Sequence, residues 1–273
     1  MRKQLPNIIL FLVFMTGLSL LLYPTVSDYW NSFHQSQAIS EYTEMVAEMD
    51  DDNYEAYWQQ AADYNARLPE NIARFHPTEA SHAEYMQLLN IGGHGVMGYL
   101  EIPAIDCSLS IYHGTDEAVL QIAVGHLEGT SLPVGGAGTH CVLSGHRGLP
   151  SAKLLTNLDK VVVGDVFLIQ TLGQTLTYLV DQIRIVEPTE ISELDLVEGE
   201  DYCTLVTCTP YGVNSHRLLV RGHRIENLEA APEIRVTADA RQIDPAIVSA
   251  VIAIPLLFLL MVYMLVTAGP KKH

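Results

Sequence analysis

The sequence predicts a mainly β protein, a closed barrel or a sandwich, with a helical extension before it and an apolar segment at each end. Three observations lead to this prediction. Between residues 98 and 224, short β-branched segments alternate with Gly, Pro and Asn turns, and no long helix intervenes. Between residues 29 and 90, apolar residues recur at spacings of three and four in a stretch rich in Ala, Glu and Gln. At both ends of the 273-residue chain, an uncharged apolar block stands apart from the rest.

The first apolar block, "NIILFLVFMTGLSLLLY", follows Arg2 and Lys3 and contains no charged residue. Its length suits either a cleaved signal peptide or a retained membrane anchor. The residues after it, "PTVSDYW", offer no small-x-small cleavage site, which favours the anchor. We therefore expect residues 1–28 to be a signal peptide or an N-terminal membrane anchor.

The second block, "AIVSAVIAIPLLFLLMVYMLVT", has no charge over its 22 positions and is followed by Lys271 and Lys272. A bilayer core needs about 20 apolar residues, so we predict a C-terminal transmembrane helix over residues 246–268. The polar, turn-rich residues 227–245 are expected to form a stalk. Basic residues at the outer ends of both blocks place both termini in the cytoplasm and the middle of the chain outside the cell.

The middle of the chain is strongly acidic. Residues 24–245 carry all 32 Asp and Glu residues but 11 of the 15 Lys and Arg residues, a net charge of −21. Such a surface disfavours a nucleic-acid partner, because phosphate binding needs a basic footprint. The excess charge suits solubility or the attraction of a basic, lysine-bearing partner.

The helical extension, residues 29–90, has a natural break at "DDDN", where Asn53 or an Asp can cap the next helix. The following stretch, "RLPENIARFHPTEASHAEY", has two prolines and no clear period, so we expect a loop and then a short helix. The barrel domain is predicted over residues 91–226. Inside it, "PSAKLLTNLDKV" is the one stretch expected to form a helical turn.

Cys208 ends the β-branched run "YCTLVTC" and is followed by a Pro/Gly turn. If the two strands beside that turn form a hairpin, its midpoint lies between Gly212 and Val213, and Cys208 faces Arg217. A thiol becomes a nucleophile beside a cation or a histidine at a partly exposed site, and a fixed guanidinium can hold an oxyanion. Arg221 has the same strand parity and is the rival of Arg217.

A catalytic base is also needed, and His146 in "HCVLSGHRGLP" has the best position among the 11 histidines. It stands at the end of a strand-like run, with a glycine on its N-terminal side. Cys141 precedes His146 by five residues, and Cys203 precedes Cys208 by five. If these two strands are parallel neighbours, His146 and Cys208 lie at matching depth.

The other cysteines, Cys107, Cys141 and Cys203, are expected to be buried strand residues. A Cys141–Cys203 disulfide is the minor alternative, because adjacent parallel strands rarely offer its geometry. The ligand spacings fall outside the usual intervals for a zinc site made of Cys203, Cys208, His216 and His223. We expect no metal and no cofactor.

The motifs together resemble the class C, pilus-assembling sortases, a transpeptidase family of Gram-positive cell surfaces. "TLVTC" fits the sortase pattern Thr-Leu-x-Thr-Cys, and "HLEGTSLPVGG", "LSGHRGLPSAKLLTNLDKV" and "TLVTCTPYGVNSHRLLVRGHR" are similar to the pilin-polymerising branch. The similarity covers residues 92–224, and the helical extension and the C-terminal apolar block also match. It implies a sortase-type closed β-barrel held at the membrane with its catalytic face outside the cell.

The resemblance also implies roles for single residues. Cys208 matches the nucleophile, His146 the catalytic histidine and Arg217 the catalytic arginine. In sortases, the cysteine cleaves an LPXTG-type sorting signal and holds the pilin as a thioacyl enzyme. A lysine amine of a second pilin then releases it as an isopeptide. The partners expected here are LPXTG-bearing pilin subunits, a lysine-bearing pilin acceptor and the membrane.

One feature of the branch does not transfer. Many class C sortases cover the site with a lid that carries Asp-Pro and then an aromatic residue, and the Asp-Pro of this chain, Asp244-Pro245, lies in the stalk. The lid candidate here is "ARFHPTEA", in which Phe75 or His76 would shield Cys208. The alternatives in function are a sortase that attaches proteins to a peptidoglycan amine, and a non-catalytic surface assembly factor.

Overall fold

The computed structural model describes residues 5–227. Three helices precede the barrel: α1 (Leu5–Ala47), α2 (Asp51–Arg67) and α3 (Glu79–Tyr85). The predicted break before α2 is confirmed, because the Asp50 side chain accepts the backbone N–H of Asn53 at 2.8 Å and caps the helix. The predicted stalk and C-terminal transmembrane helix lie outside the described residues, so both stay predictions.

α1 contains the first apolar block and continues through Pro24. Its Ile9–Ala47 part is long and apolar enough to cross a membrane, by length and composition. Asp28–Glu229 form a compact unit of their own. Within that unit, two side chains of α1 are buried against the barrel: Gln35 accepts the backbone N–H of Ser110 at 2.8 Å, and the Tyr42 hydroxyl donates to the Met97 carbonyl at 3.0 Å.

Eight strands form a closed barrel in the order β1-β2-β3-β4-β7-β8-β6-β5, which confirms the predicted barrel. Closure leaves no free sheet edge, so each strand pairs on both sides. The strands are β1 (Val96–Ile102), β2 (Cys107–His113), β3 (Val124–His126), β4 (Thr139–Ser144), β5 (Val166–Thr171), β6 (Gln174–Val186), β7 (Asp201–Thr209) and β8 (His216–Ile225).

Short helical turns occur at more places than the sequence indicates. "PSAKLLTNLDKV" contains a 3₁₀ turn, Leu158–Lys160, as predicted. The expectation that it is the one helical turn in the barrel is wrong, because the connection between β2 and β3 contains α4 (Glu117–Leu120). Two more 3₁₀ turns lie at Pro103–Ile105 and Ser192–Leu194. Segments of three or four residues are too short to show a helical period.

The registers of β7 decide where the candidate residues lie. β4 and β7 are parallel neighbours with Cys141 opposite Cys203, and β7 and β8 are antiparallel. Alternate residues of β7 therefore face opposite ways. Cys203 and Leu205 belong to the main core inside the barrel, whereas Val206 packs on the outer face. Cys208 has the parity of Val206, so it lies on the outer face.

Candidate active site

Cys208 is the second-last residue of β7, at the rim of the barrel, and its side chain is half-buried. All four thiols are free. Cys141 and Cys203 are buried, as predicted, and Cys107 is half-buried rather than fully enclosed. A half-buried thiol at a strand end is open to a substrate on the outer face.

Two of the other thiols, Cys107 and Cys203, are held in their neutral form. Burial raises the pKa of the Cys107 thiol to about 12, with a smaller contribution from Asp106. Burial also raises the pKa of Cys203 well above its ordinary value, and the neighbouring Cys141 thiol adds to this effect. Because the thiolate is the nucleophilic form, chemistry at these two positions is disfavoured.

Arg217 is the register partner of Cys208 across the β7–β8 hairpin, which confirms the predicted pairing. Its guanidinium donates to the carbonyls of His216 and Asn214, at 3.2 and 3.4 Å. Within residues 5–227, no carboxylate forms an ion pair with Arg217. Its positive charge is thus available to a developing oxyanion beside Cys208.

Arg221, the rival arginine, is occupied elsewhere. Its register partner is Thr204, well inside the barrel wall. It forms a bidentate ion pair with Asp181, at 3.0 and 2.9 Å, and stacks over the ring of Tyr202. Because Asp181 and Tyr202 hold its guanidinium, Arg221 stabilises the outer face of the barrel and does not act at the rim.

His146 follows β4 at the same end of the barrel. The β4–β7 register runs to Ser144 opposite Val206, and Gly145 continues it by donating its N–H to the Val206 carbonyl at 3.0 Å. The Thr207 hydroxyl donates to the Gly145 carbonyl at 2.8 Å. The residues directly before His146 and Cys208 are therefore bonded to each other, which supports the expected matching depth of these two positions.

A carboxylate that the sequence did not indicate lies beside His146. The Glu117 Oε2 atom is 3.5 Å from Nε2 of His146, which is buried and has no hydrogen bond of good geometry. The contact is thus an electrostatic one. A hydrogen bond from Gln121 and, to a smaller degree, the charge of His146 lower the pKa of Glu117, so the carboxylate is ionised at neutral pH. No local motif links Glu117 to His146, because α4 and the end of β4 meet only in the folded barrel.

Arg147 is a structural residue of the rim. Its side chain is 9% exposed and forms an ion pair with Asp159 at 2.5 Å. It also donates to the Thr209 hydroxyl at 3.3 Å. Arg147 thus ties the loop after His146 to the residue after Cys208.

The lid candidate lies in turns between α2 and α3. Phe75 is half-buried beneath the guanidinium of Arg74, whose Nη2 atom bonds Asp195 at 3.0 Å, and His76 is exposed. Among the described residues, no hydrogen bond, ion pair or ring contact joins Phe75 or His76 to Cys208. Shielding of Cys208 by this segment stays a prediction.

Next to Cys208, the outer face of the barrel is apolar. This outer apolar cluster extends from Val206, two residues before Cys208, to a side chain of the Ser192–Leu194 turn. Its members are Leu127, Val142, Val186, Leu194, Val206 and Leu219.

Residues 5–227 contain no group of three or more His, Cys, Asp and Glu side chains that could hold a metal ion.

Comparisons with known proteins relate the chain to one family. A family model of the sortase domain matches residues 100–225. Sortase C1 from Streptococcus agalactiae is 50% identical, with a TM-score of 0.69 over 70% of this chain and 100% of that one. Sortase C from Streptococcus pneumoniae is 47% identical, with a TM-score of 0.62 over 70% of this chain and 97% of that one.

A more distant similarity connects the chain to curated relatives. Sortase D of Bacillus subtilis is 29% identical over 131 residues, 47% of this chain and 63% of that protein. Sortase A of Listeria monocytogenes is 28% identical over 119 residues, 44% of this chain and 52% of that protein. The match thus spans less than two thirds of either curated relative.

Proposed function

Because the chain belongs to the sortase family, with class C sortases as its structural neighbours, we propose that it is a membrane-anchored cysteine transpeptidase. It cleaves an LPXTG-type sorting signal and joins the pilin to a lysine amine of another pilin. The observation that carries the proposal is the register pair Cys208–Arg217, with His146 at the end of the neighbouring parallel strand.

In the first half-reaction, the Cys208 thiolate attacks the carbonyl carbon of the Thr-Gly bond. Arg217 stabilises the negative charge that develops on the carbonyl oxygen, since its guanidinium has no carboxylate to neutralise it within residues 5–227. The C–N bond then breaks, His146 donates a proton to the leaving glycine amine, and a thioester links Thr to Cys208.

In the second half-reaction, a lysine amine attacks the thioester and His146 takes up its proton. The C–S bond breaks, the Cys208 thiolate is regenerated, and an isopeptide bond remains between the two pilins. The acidic domain, −21 over residues 24–245, favours the approach of a basic lysine-bearing acceptor.

The outer apolar cluster supports a peptide substrate with apolar residues. Val206 lies on the same face as Cys208, so an extended peptide whose Thr-Gly bond is at Cys208 runs its leucine and proline over the partly exposed members of this cluster, Leu127, Val186 and Val206. The relatives favour a pilin as the source of that peptide: the S. pneumoniae sortase C has pilin substrate specificity, and sortase C1 of S. agalactiae belongs to a pilus island.

For location, we place the catalytic domain outside the cell, with α1 as its membrane anchor. Within Ile9–Ala47 the helix contains an apolar window of the length and composition that can cross a membrane, and it follows the basic residues Arg2 and Lys3, which favour a cytoplasmic N-terminus. Sortases act at the surface of Gram-positive bacteria, where their sorting-signal substrates are.

Incubation with an LPXTG-type peptide tests the proposal. The wild-type chain is expected to release the C-terminal glycine fragment, and Cys208→Ala is expected to release none. Without cleavage by the wild type, the domain is a binding module and the proposal fails. If cleavage occurs, competition between a lysine-bearing pilin and a peptidoglycan stem peptide decides the acceptor. Transfer to the stem peptide alone would make the chain a cell-wall-anchoring sortase.

A further inference from the structure

We infer that Glu117 is a positioning residue for His146, an inference that rests on the proposed transpeptidase function. The carboxylate lies 3.5 Å from the Nε2 atom of His146. His146 is 27% exposed and Glu117 is 71% exposed. The pair therefore lies at the mouth of the site, and the imidazole is its more buried member.

The topology brings α4 to His146. α4 lies between β2 and β3, and β3 pairs with the end of β4 through Gly125 opposite Ser144. The chain that enters β3 therefore passes the strand end that carries His146. This juxtaposition depends on the parallel β2–β3 pair and not on closeness in sequence.

Other contacts hold α4 in place. The Gln121 side chain donates to the Glu117 carboxylate, one turn along the helix. The carbonyl of Ile122, just after α4, accepts hydrogen bonds from the α1 side chains Asn31 and Gln35. A carboxylate oriented by a second side chain, on a segment braced by another helix, can define the orientation of a ring that it contacts.

The contact assigns different tasks to the two ring nitrogens. Nε2 faces the carboxylate, so Nδ1 is the nitrogen left to exchange protons with the amine and the thiol. The charged groups on the neighbouring elements are Arg147 with its partner Asp159, and Arg217 on β8. Glu117 is thus the anion in contact with His146, and it stabilises the imidazolium that donates to the leaving amine.

The test uses Glu117→Gln, Glu117→Asp and a matched control. Glu187 is 69% exposed and lies 3.2 Å from His216, a second carboxylate–imidazole contact that does not involve His146. Glu187→Gln therefore removes an equally exposed carboxylate from a histidine outside the proposed machinery. Thermal unfolding of each full-length variant verifies that it is folded.

Two readouts are measured over pH 5–9. The first is transfer of an LPXTG-type peptide to an amine. We expect Glu117→Gln to lower kcat about three- to fivefold, the size expected of an exposed ion pair, with KM for peptide and amine unchanged. The pH–rate profile of Glu117→Gln differs from that of wild type, because the carboxylate that contacts the His146 ring is gone. Glu117→Asp restores part of kcat, and Glu187→Gln behaves as wild type.

The second readout is the rate at which iodoacetamide alkylates Cys208, which needs no substrate. Glu117→Gln is expected to slow alkylation near pH 7, because a His146 ring that has lost its contact with Glu117 is less well positioned to stabilise the thiolate. Wild-type profiles in both readouts for folded Glu117→Gln would overturn the inference. So would a raised amine KM at unchanged kcat, since Glu117 would then bind the acceptor. If wild type forms no thioester, the proposed function fails, and the alkylation profile still reports on Glu117.

Discussion

Arg217 and Arg221 lie four residues apart on the outer side of β8, but their guanidinium groups have different surroundings. Arg217 bonds two backbone carbonyls, whereas Arg221 is held by Asp181 and stacked over Tyr202. The same residue type in the same strand can therefore serve catalysis at one position and packing at the other.

We predict that Arg217→Ala lowers the rate of acylation by about 10²- to 10³-fold, as expected for loss of a group that stabilises an oxyanion. Arg217→Lys retains part of the rate, because an ammonium keeps the charge but lacks the planar fork. Single-turnover acylation with an LPXTG-type peptide measures both. As a control, Arg221→Lys should acylate at close to the wild-type rate. Near-wild-type acylation by Arg217→Ala would exclude the proposed role.

The sequence predicted some residues of the site because they depend on local geometry. A hairpin turn centred between Gly212 and Val213 sets the Cys208–Arg217 pair by symmetry, and the register agrees. The choice of His146 needed the family resemblance, since several histidines stand near turns. Glu117 could not be predicted, because the contact joins residues 29 positions apart through the barrel closure.

At the scale of elements, β4 and β7 are joined at the site by one buried side chain. Thr207 is 1% exposed, and its hydroxyl donates to the Gly145 carbonyl. We predict that Thr207→Val lowers the free energy of unfolding by about 1–3 kcal/mol, because the carbonyl loses its buried donor. It also lowers kcat, because the lost hydrogen bond holds Gly145, the residue directly before His146. Urea unfolding and peptide cleavage measure the two effects.

The matched control is Thr175→Val, in which the lost hydroxyl bonds a half-exposed side chain of Gln170. We expect it to change the free energy of unfolding by less than about 0.5 kcal/mol and to leave kcat unchanged. Equal effects of the two substitutions would show that the β4–β7 bridge has no special importance.

His140 joins three elements and makes their packing depend on pH. Its Nδ1 atom contacts the Asp195 carbonyl at 2.9 Å, and its Nε2 atom contacts the Thr204 hydroxyl at 2.8 Å. A neutral ring satisfies both by donating from Nδ1 and accepting at Nε2. Burial lowers the pKa of His140 from its ordinary value of 6.5, although the Asp195 carbonyl opposes that effect.

Because the pKa of His140 is lowered in the folded state, the protein is less stable at acidic pH. Above pH 6.5, His140 is neutral in both the folded and the unfolded chain, and its contribution to stability is complete. As the pH falls below 6.5, His140 is protonated first in the unfolded chain. The free energy of unfolding therefore decreases until the pH reaches the lower pKa of His140 in the folded state. We predict that Tm falls between pH 7.5 and pH 5, and that this fall is smaller in His140→Asn. His216→Asn, which changes an exposed ring, should keep the wild-type slope. An unchanged slope in His140→Asn would contradict the assignment.

The elements themselves were predicted where a long pattern or a capping residue marks them. The break at Asp50 and the barrel strands follow from capping and alternation. α4 and the 3₁₀ turns are too short for such a pattern. α1 passes through Pro24 and continues beyond residue 28, where the sequence suggested a boundary.

At the scale of the whole molecule, the compact unit depends on the part of α1 that packs on the barrel. Gln35 and Tyr42 are buried, and they satisfy the backbone N–H groups of Ser110 and Leu172. We predict that a chain of residues 28–229 keeps its Tm and forms the thioester. A chain of residues 50–229 leaves both N–H groups without these partners and loses about 2 kcal/mol or more.

Calorimetry of the two chains measures this difference. Tyr42→Phe in the chain of residues 28–229 serves as the intermediate case, because it removes one hydroxyl and keeps the ring. Equal Tm values for the chains of residues 28–229 and 50–229 would show that α1 contributes nothing to the stability of the barrel.

The central claim is that Cys208 forms a thioacyl bond with the threonine of a sorting signal. The most direct measurement is mass spectrometry of the chain after rapid quenching with an LPXTG-type peptide. We predict a mass increase equal to the peptide up to its threonine, which proteolytic mapping places on Cys208 and hydroxylamine removes. No adduct should form on Cys208→Ala. An adduct on Cys107, Cys141 or Cys203, or none on the wild type, would contradict the account.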